Sequence, residues 1–232
     1  MHKLIENQVR ISVRNLVEFI LRSGDIDNRH STKAQYDAMQ IGSRLHRKIQ
    51  GSMPGTYKAE VSLKHTAHYR DVEILLEGRA DGIITPDEKS VDGEQATLLY
   101  QTQTDGNVSA EILFIIDEIK VIRQDMEKLD SAAQVHVATG TLLCLYVCKS
   151  TEYKSSWCYR RKRGEKKGLC IGIQITYCHP ETEEIKRFLK VYTFKEIKEE
   201  FDYYISEYGK WAQFLYEHRL ERNASVQKLS FP

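Results

Sequence analysis

Several classes of protein are excluded by what this 232-residue chain lacks. It has 5 cysteines, none before Cys144. An odd, unevenly spread set argues for reduced thiols rather than a disulfide framework. No apolar run approaches the roughly 18 residues that a membrane-spanning helix needs. The opening MHKLIENQVRIS has no apolar core of a secretory signal, so a cytoplasmic protein is expected. Net charge is also missing: 34 Lys and Arg stand against 33 Asp and Glu. Any surface for a polyanion must therefore come from local clustering of charge. There are only 4 prolines, and there is no internal repeat or low-complexity tract.

What remains is the composition of one ordinary globular domain, 41% hydrophobic and 29% charged. Ser12 is placed to cap a short amphipathic helix over Val13 to Leu21. A second helix is expected from Lys33 to Gln50, with Met39, Leu45 and Ile49 among its apolar positions. Strands are expected over Tyr57–Lys64, Val72–Ile84 and Ile112–Ile122, the last with an Ile-Leu-Phe-Ile-Ile run suited to burial on both faces. A long polar stretch separates the second strand from the third. A buried helix is expected over Ser131–Cys148, and a hairpin over Leu169–Cys178 and Ile185–Tyr192. Phe194, Ile197, Phe201, Ile205, Tyr208, Trp211 and Leu215 then recur at helical spacing, predicting an amphipathic helix to about Arg222. The order predicts an α/β core with a mixed or antiparallel sheet. Residues 1–222 read as the domain and 223–232 as a linker.

Three short patterns carry chemistry. Asp117-Glu118-Ile119-Lys120 ends an apolar strand, where residues two apart share a face. Glu118 and Lys120 thus face one way, Asp117 and Ile119 the other. Charges in a buried strand are costly unless paired or bound to a metal. In the preceding strand Gly78 and Gly82 flank Arg79-Ala80-Asp81, which lets backbone and ligand approach closely. Asp81 would stand beside Glu118 if the two strands pair, and two converging carboxylates suit a hard oxygen-seeking cation. On the second helix Gly42 lies one turn before His46, leaving room beside the histidine. Each pattern also has a plain structural reading: a strand end reaching water, a Gly-Asp turn, a hydrogen-bonded surface histidine.

In that order, and each on its expected element, Gly42–His46, Gly78–Asp81 and Glu118–Lys120 resemble the RecB-type branch of the PD-(D/E)xK nucleases, over roughly residues 12 to 195. The resemblance implies a restriction-endonuclease-like α/β core, a central mixed sheet flanked by helices. It implies a metal-dependent deoxyribonuclease using Mg²⁺ or Mn²⁺. Asp81 and Glu118 would be ligands together with His46 and the main-chain carbonyl of Ile119. Lys120 would orient the attacking water, so that Asp81, Glu118 and Lys120 are the catalytic set. The family's next pattern, Q-x-x-x-Y, is altered here: Gln134 is followed four residues later by Ala138. Gln134 remains a candidate for DNA contact. An iron–sulfur cluster of the kind some relatives hold is not expected, because no cysteine precedes the Gly42–His46 helix.

Arg160, Arg161, Lys162 and Arg163 open a loop with six positive charges and one negative up to Lys167. Such a loop can neutralise phosphates, and it can equally be a solvated charge run. The segments around Ile175–Cys178, Glu181–Lys186 and Ala224–Pro232 resemble bacterial XPD/DinG-type helicases that carry an N-terminal nuclease domain. This implies a helicase domain on the same longer chain and a substrate of single-stranded DNA or DNA ends in repair or recombination. A catalytically weak DNA-binding module that guides a helicase is the alternative.

Overall fold

The computed structural model describes residues 3–21, 33–85, 110–123, 125–129 and 168–229. Gln134, Arg160, Arg161, Lys162 and Arg163, the helix expected over 131–148 and the polar stretch 86–109 lie outside the described residues.

The elements run β1 (Lys3–Ile5), β2 (Gln8–Ser12), α1 (Val13–Ile20), α2 (Lys33–Ser52), β3 (Tyr57–Tyr69), β4 (Val72–Ile84), β5 (Ala110–Val121), a 3-10 turn (Met126–Lys128), β6 (Gly168–Cys178), β7 (Ile185–Thr193) and α3 (Phe194–Leu229). The strands form one seven-stranded mixed sheet in the order β1-β2-β4-β5-β6-β7, with β3 on β4. This is the α/β class expected, a mixed sheet with helices against it. β1 and β2 were not anticipated, although Val9 and Ile11 alternate with polar neighbours and are buried. β3 runs beyond Lys64 to Tyr69, and α3 continues past Arg222 to Leu229, into the stretch read as linker.

The ends of the helices follow local chemistry. The Ser12 hydroxyl accepts from the Asn15 N–H at 3.1 Å and caps α1. At α3, the Thr193 hydroxyl accepts from the Glu196 N–H while Glu196 reaches back to the Thr193 N–H, a reciprocal capping box. Ile197, Phe201, Tyr204, Ile205, Tyr208 and Ala212 turn the inner face of α3 onto the main core. Leu215, which its spacing puts on that stripe, is 37% exposed. α1 packs on the same core through Val13, Leu16 and Val17. α2 covers a different patch, where Leu45 and Ile49 meet Ile119 and Cys178. Among the described residues no helix is long and apolar enough to cross a membrane.

β4 is the branch point of the sheet. β3 pairs antiparallel along its length, from Tyr57 opposite Ile84 to Tyr69 opposite Val72. A strand has only two edges, so β2 and β5 must share the other. β2 pairs parallel with residues Glu73 to Glu77, and β5 pairs antiparallel with Gly82 to Ile84. Residues 78–81 lie between these two partners, where β4 and β5 part in a fork. The alternation of buried side chains also slips there: Val72, Ile74, Leu76 and Ala80 face the main core, and then Ile83 does. Such an irregularity re-aims a side chain.

Candidate active site

The re-aimed side chain is that of Asp81. Its Oδ2 accepts from the Ile119 N–H at 2.8 Å, a bond that replaces a rung of the β4–β5 ladder where the strands part. A residue in an extended strand sends its N–H and C=O from the same edge. The Ile119 carbonyl is therefore turned toward the fork as well. The Nδ1 of His46 on α2 lies 3.8 Å from Asp81 Oδ1. Helix α2 is seated by Leu45 and Ile49, the neighbours of His46 on its buried side, against Ile119 itself. Packing of α2 on β5 is thus what carries His46 to Asp81.

Glu118 and Lys120 project from the opposite face of β5, and Lys120 Nζ donates to Glu118 Oε1 at 2.5 Å. Burial pushes the Glu118 carboxyl above the usual carboxylate range; Lys120 opposes this, and the charge of Asp81 adds to it. Asp81 is pushed up too, mainly by burial, with the Ile119 N–H, His46 and Lys120 pulling the other way. Each carboxylate therefore sits in a place that disfavours its own charge, a condition that an added cation relieves. Among the described residues no three His, Cys, Asp or Glu side chains are grouped closely enough to enclose a metal ion. The donor set nonetheless suits a hard dication in kind: two desolvated carboxylates, an imidazole and a main-chain oxygen at one fork.

Asp117, on the other face from Glu118, is 0% exposed. It accepts from the Thr176 hydroxyl at 2.6 Å, from Gln174 Nε2 at 3.0 Å and from the Tyr57 hydroxyl at 3.3 Å. These bonds tie β3, β5 and β6 together directly behind the candidate catalytic residues. Burial raises the Asp117 carboxyl, and burial with the adjacent Asp117 raises the Tyr57 hydroxyl. Gly82 makes the network possible. A Cβ there would lie 1.9 Å from Tyr57 Cζ, so the bare backbone lets the ring cross β4 to reach Asp117. Gly82 thus serves an internal aromatic ring, a correction to the reading that it leaves room for a ligand.

Gly42 differs. Nothing described lies within 4 Å of a Cβ built there. Glycine in a helix interior costs about 1 kcal/mol relative to alanine. Gly42→Ala is expected to raise stability by up to about that amount in urea titration. A gain in stability accompanied by weaker DNA binding would mean that a substrate uses the bare face beside His46.

Of the residues that the sequence motifs marked, the fold brings His46 and the Ile119 N–H to Asp81, and pairs Glu118 with Lys120 on the other face of β5. The motifs did not point to Tyr57, Gln174 and Thr176, which hold Asp117, or to Gln50, whose Nε2 donates to the Asp81 carbonyl at 2.9 Å. The one available signal for Gln50 was its place one turn after His46. Glu60 on β3, opposite Asp81, is engaged by Arg79 at 2.7 Å and by Gln50 at 3.0 Å.

No family model matches this chain, and no curated protein matches it. Solved structures similar to it include SSO0001, known from a crystal structure, at 16% identity and a TM-score of 0.44, over 88% of this chain and 77% of that one. A likeness at that level carries no functional argument, which rests on the residues of the fork.

Proposed function

We propose that this protein is a metal-dependent deoxyribonuclease of the PD-(D/E)xK kind, hydrolysing phosphodiester bonds in single-stranded DNA or at DNA ends. One observation supports it above the others: residues of three separate motifs meet where β4 and β5 part. Asp81 is bonded to the main chain of Ile119, His46 stands 3.8 Å from Asp81, and Glu118 is paired with Lys120. Strand pairing and helix packing alone would not require a buried carboxylate beside another whose charge raises its pKa.

In this reading Asp81 and Glu118 would hold Mg²⁺ or Mn²⁺, with His46 and the Ile119 carbonyl as further ligands. The bound ion would polarise the scissile phosphate and lower the pKa of an attacking water. The chain's own groups do the rest. Asp81 is held in place by the Ile119 N–H, so its carboxylate need not reorganise on binding. Lys120 is half-buried beside Glu118, where its ammonium would orient the water and offset negative charge on the phosphate. Leu45 and Ile49 of α2 pack on Ile119 of β5, a dry apolar cluster beside His46. A helicase on the same longer chain would supply the single strands, in DNA repair or recombination in the cytoplasm.

A second reading, a catalytically weak DNA-binding module guiding a helicase, draws on a different observation. Glu118 is occupied by Lys120, and no three ligands among the described residues are grouped around one point.

Cleavage of labelled single- and double-stranded DNA in Mn²⁺, Mg²⁺ or EDTA separates the two. Cutting should require the metal. Asp81→Ala and Lys120→Ala should each reduce it on the order of 10³-fold. Folded protein that binds DNA but cuts with neither metal would support the guiding module instead.

A further inference from the structure

We infer that Gln50 is a positioning residue for the fork, acting on the main chain of Asp81; this rests on the nuclease reading above. The β3–β4 ladder pairs residues on both sides of Glu60 and Asp81 but not these two with each other. Glu60 has a φ of 55°, in the left-handed region that side chains other than glycine seldom adopt. Strain of this sort persists only where its surroundings enforce it. The interruption takes a ladder partner away from the Asp81 carbonyl, and Gln50 replaces it. Its single amide nitrogen donates to the Asp81 carbonyl at 2.9 Å and to Glu60 Oε1 at 3.0 Å. Arg79 Nε holds the other Glu60 oxygen at 2.7 Å, which fixes the acceptor that Gln50 uses.

Gln50 is one helical turn beyond His46, so one face of α2 touches Asp81 twice. His46 faces its carboxylate, and Gln50 bonds its backbone. With the Ile119 N–H on Oδ2, Asp81 is held from two sides of the fork. Without the Gln50 amide, Glu60 is free to relax into the regular ladder opposite Asp81. The strand alternation would then straighten, and the Asp81 carboxylate would turn away from Ile119 and His46. Gln50 is thus the device that keeps the irregular conformation, and through it the direction of a proposed metal ligand.

The test uses the full chain, with Mn²⁺ as the probe. Mn²⁺ affinity is measured by calorimetry or electron paramagnetic resonance, beside kcat and KM for DNA. Gln50→Ala should weaken Mn²⁺ binding by about 10- to 100-fold and lower kcat, with KM for DNA little changed. Gln50→Glu should be worse, because a carboxylate has no proton for the Asp81 carbonyl and repels Glu60. Gln50→Lys should recover most of the affinity, since an ammonium can donate to both oxygens. A Gln50→Ala or Gln50→Glu protein that melts earlier yet binds Mn²⁺ like the wild type would overturn the proposal and leave a purely structural residue. Wild-type protein that neither binds Mn²⁺ nor cuts DNA would overturn the nuclease reading and this inference with it.

Discussion

Replacing Glu118 by glutamine is expected to raise the melting temperature of the metal-free protein while lowering DNA cleavage on the order of 10³-fold. The two effects have one cause. Glu118 is 8% exposed, and burial raises its carboxyl above the usual range despite Lys120 at 2.5 Å. Desolvation therefore outweighs the ion pair, as it often does inside proteins. Glutamine keeps the shape and removes the charge, a gain of about 1 kcal/mol, or about 2–4 °C for a domain of this size. The pH dependence has a definite sign. The folded pKa lies above that of the unfolded chain, so the penalty for ionised Glu118 is full above the folded pKa. It fades as the pH falls toward the ordinary value of 4.5, where the wild type takes up the proton itself. The advantage of the E118Q variant should thus be largest at neutral pH and shrink in acid. Thermal melts in EDTA across that range would measure it. A variant that melts well below the wild type at neutral pH would mean that the Lys120 pair is a structural element and that no ligand is needed to account for Glu118.

Asp117→Ala is expected to cost about 3–5 kcal/mol, enough to unfold much of the population of a marginally stable domain. The carboxylate is fully buried and accepts three hydrogen bonds, from Thr176, Gln174 and Tyr57. Alanine would leave the buried Thr176 hydroxyl without its acceptor and Gln174 with only a long bond to Thr176 at 3.4 Å, and unpaired buried donors are the expensive case. Asp117→Asn should be far milder. The amide retains one acceptor oxygen, the Thr176 and Tyr57 hydroxyls can rotate to accept, and a charge disfavoured by burial is removed. Urea denaturation of both variants would measure the difference. A loss below about 1 kcal/mol for alanine would show that the network does not anchor β5. The consequence for function follows from adjacency. Asp117 and Glu118 are successive residues on opposite faces of one strand, so a strand loosened at Asp117 misplaces Glu118 and Lys120 together.

The legible parts of this protein were those written in local patterns. Ser12 announces a helix start through a side chain that satisfies a nearby N–H group. The alternation over Val72–Ile84 and the three- and four-residue spacing after Phe194 give β4 and α3 nearly as they occur. Glu118 and Lys120 could be put on one face because strand geometry makes residues two apart neighbours. β1 and β2 were missed because strands so short carry too few alternations to stand out, and their stability comes from pairing with the distant β4. Gly82 was misread because its partner, Tyr57, is remote in sequence and adjacent only through the β3–β4 ladder.

The sequence by itself determined which residues are candidates for chemistry, and on which kind of element each would lie. His46 belongs to a helix, Asp81 and Glu118 to successive strands, and Lys120 to the face of Glu118. Only the tertiary structure decided that they meet. β2 and β5 compete for one edge of β4, and the fork between them leaves the Ile119 N–H without a strand partner, so Asp81 provides one. The fork combines three-way strand pairing, a left-handed residue at Glu60 and an amide reaching across from α2. No window of sequence contains all of these, because the energies that set them arise between segments that the chain brings together only on folding.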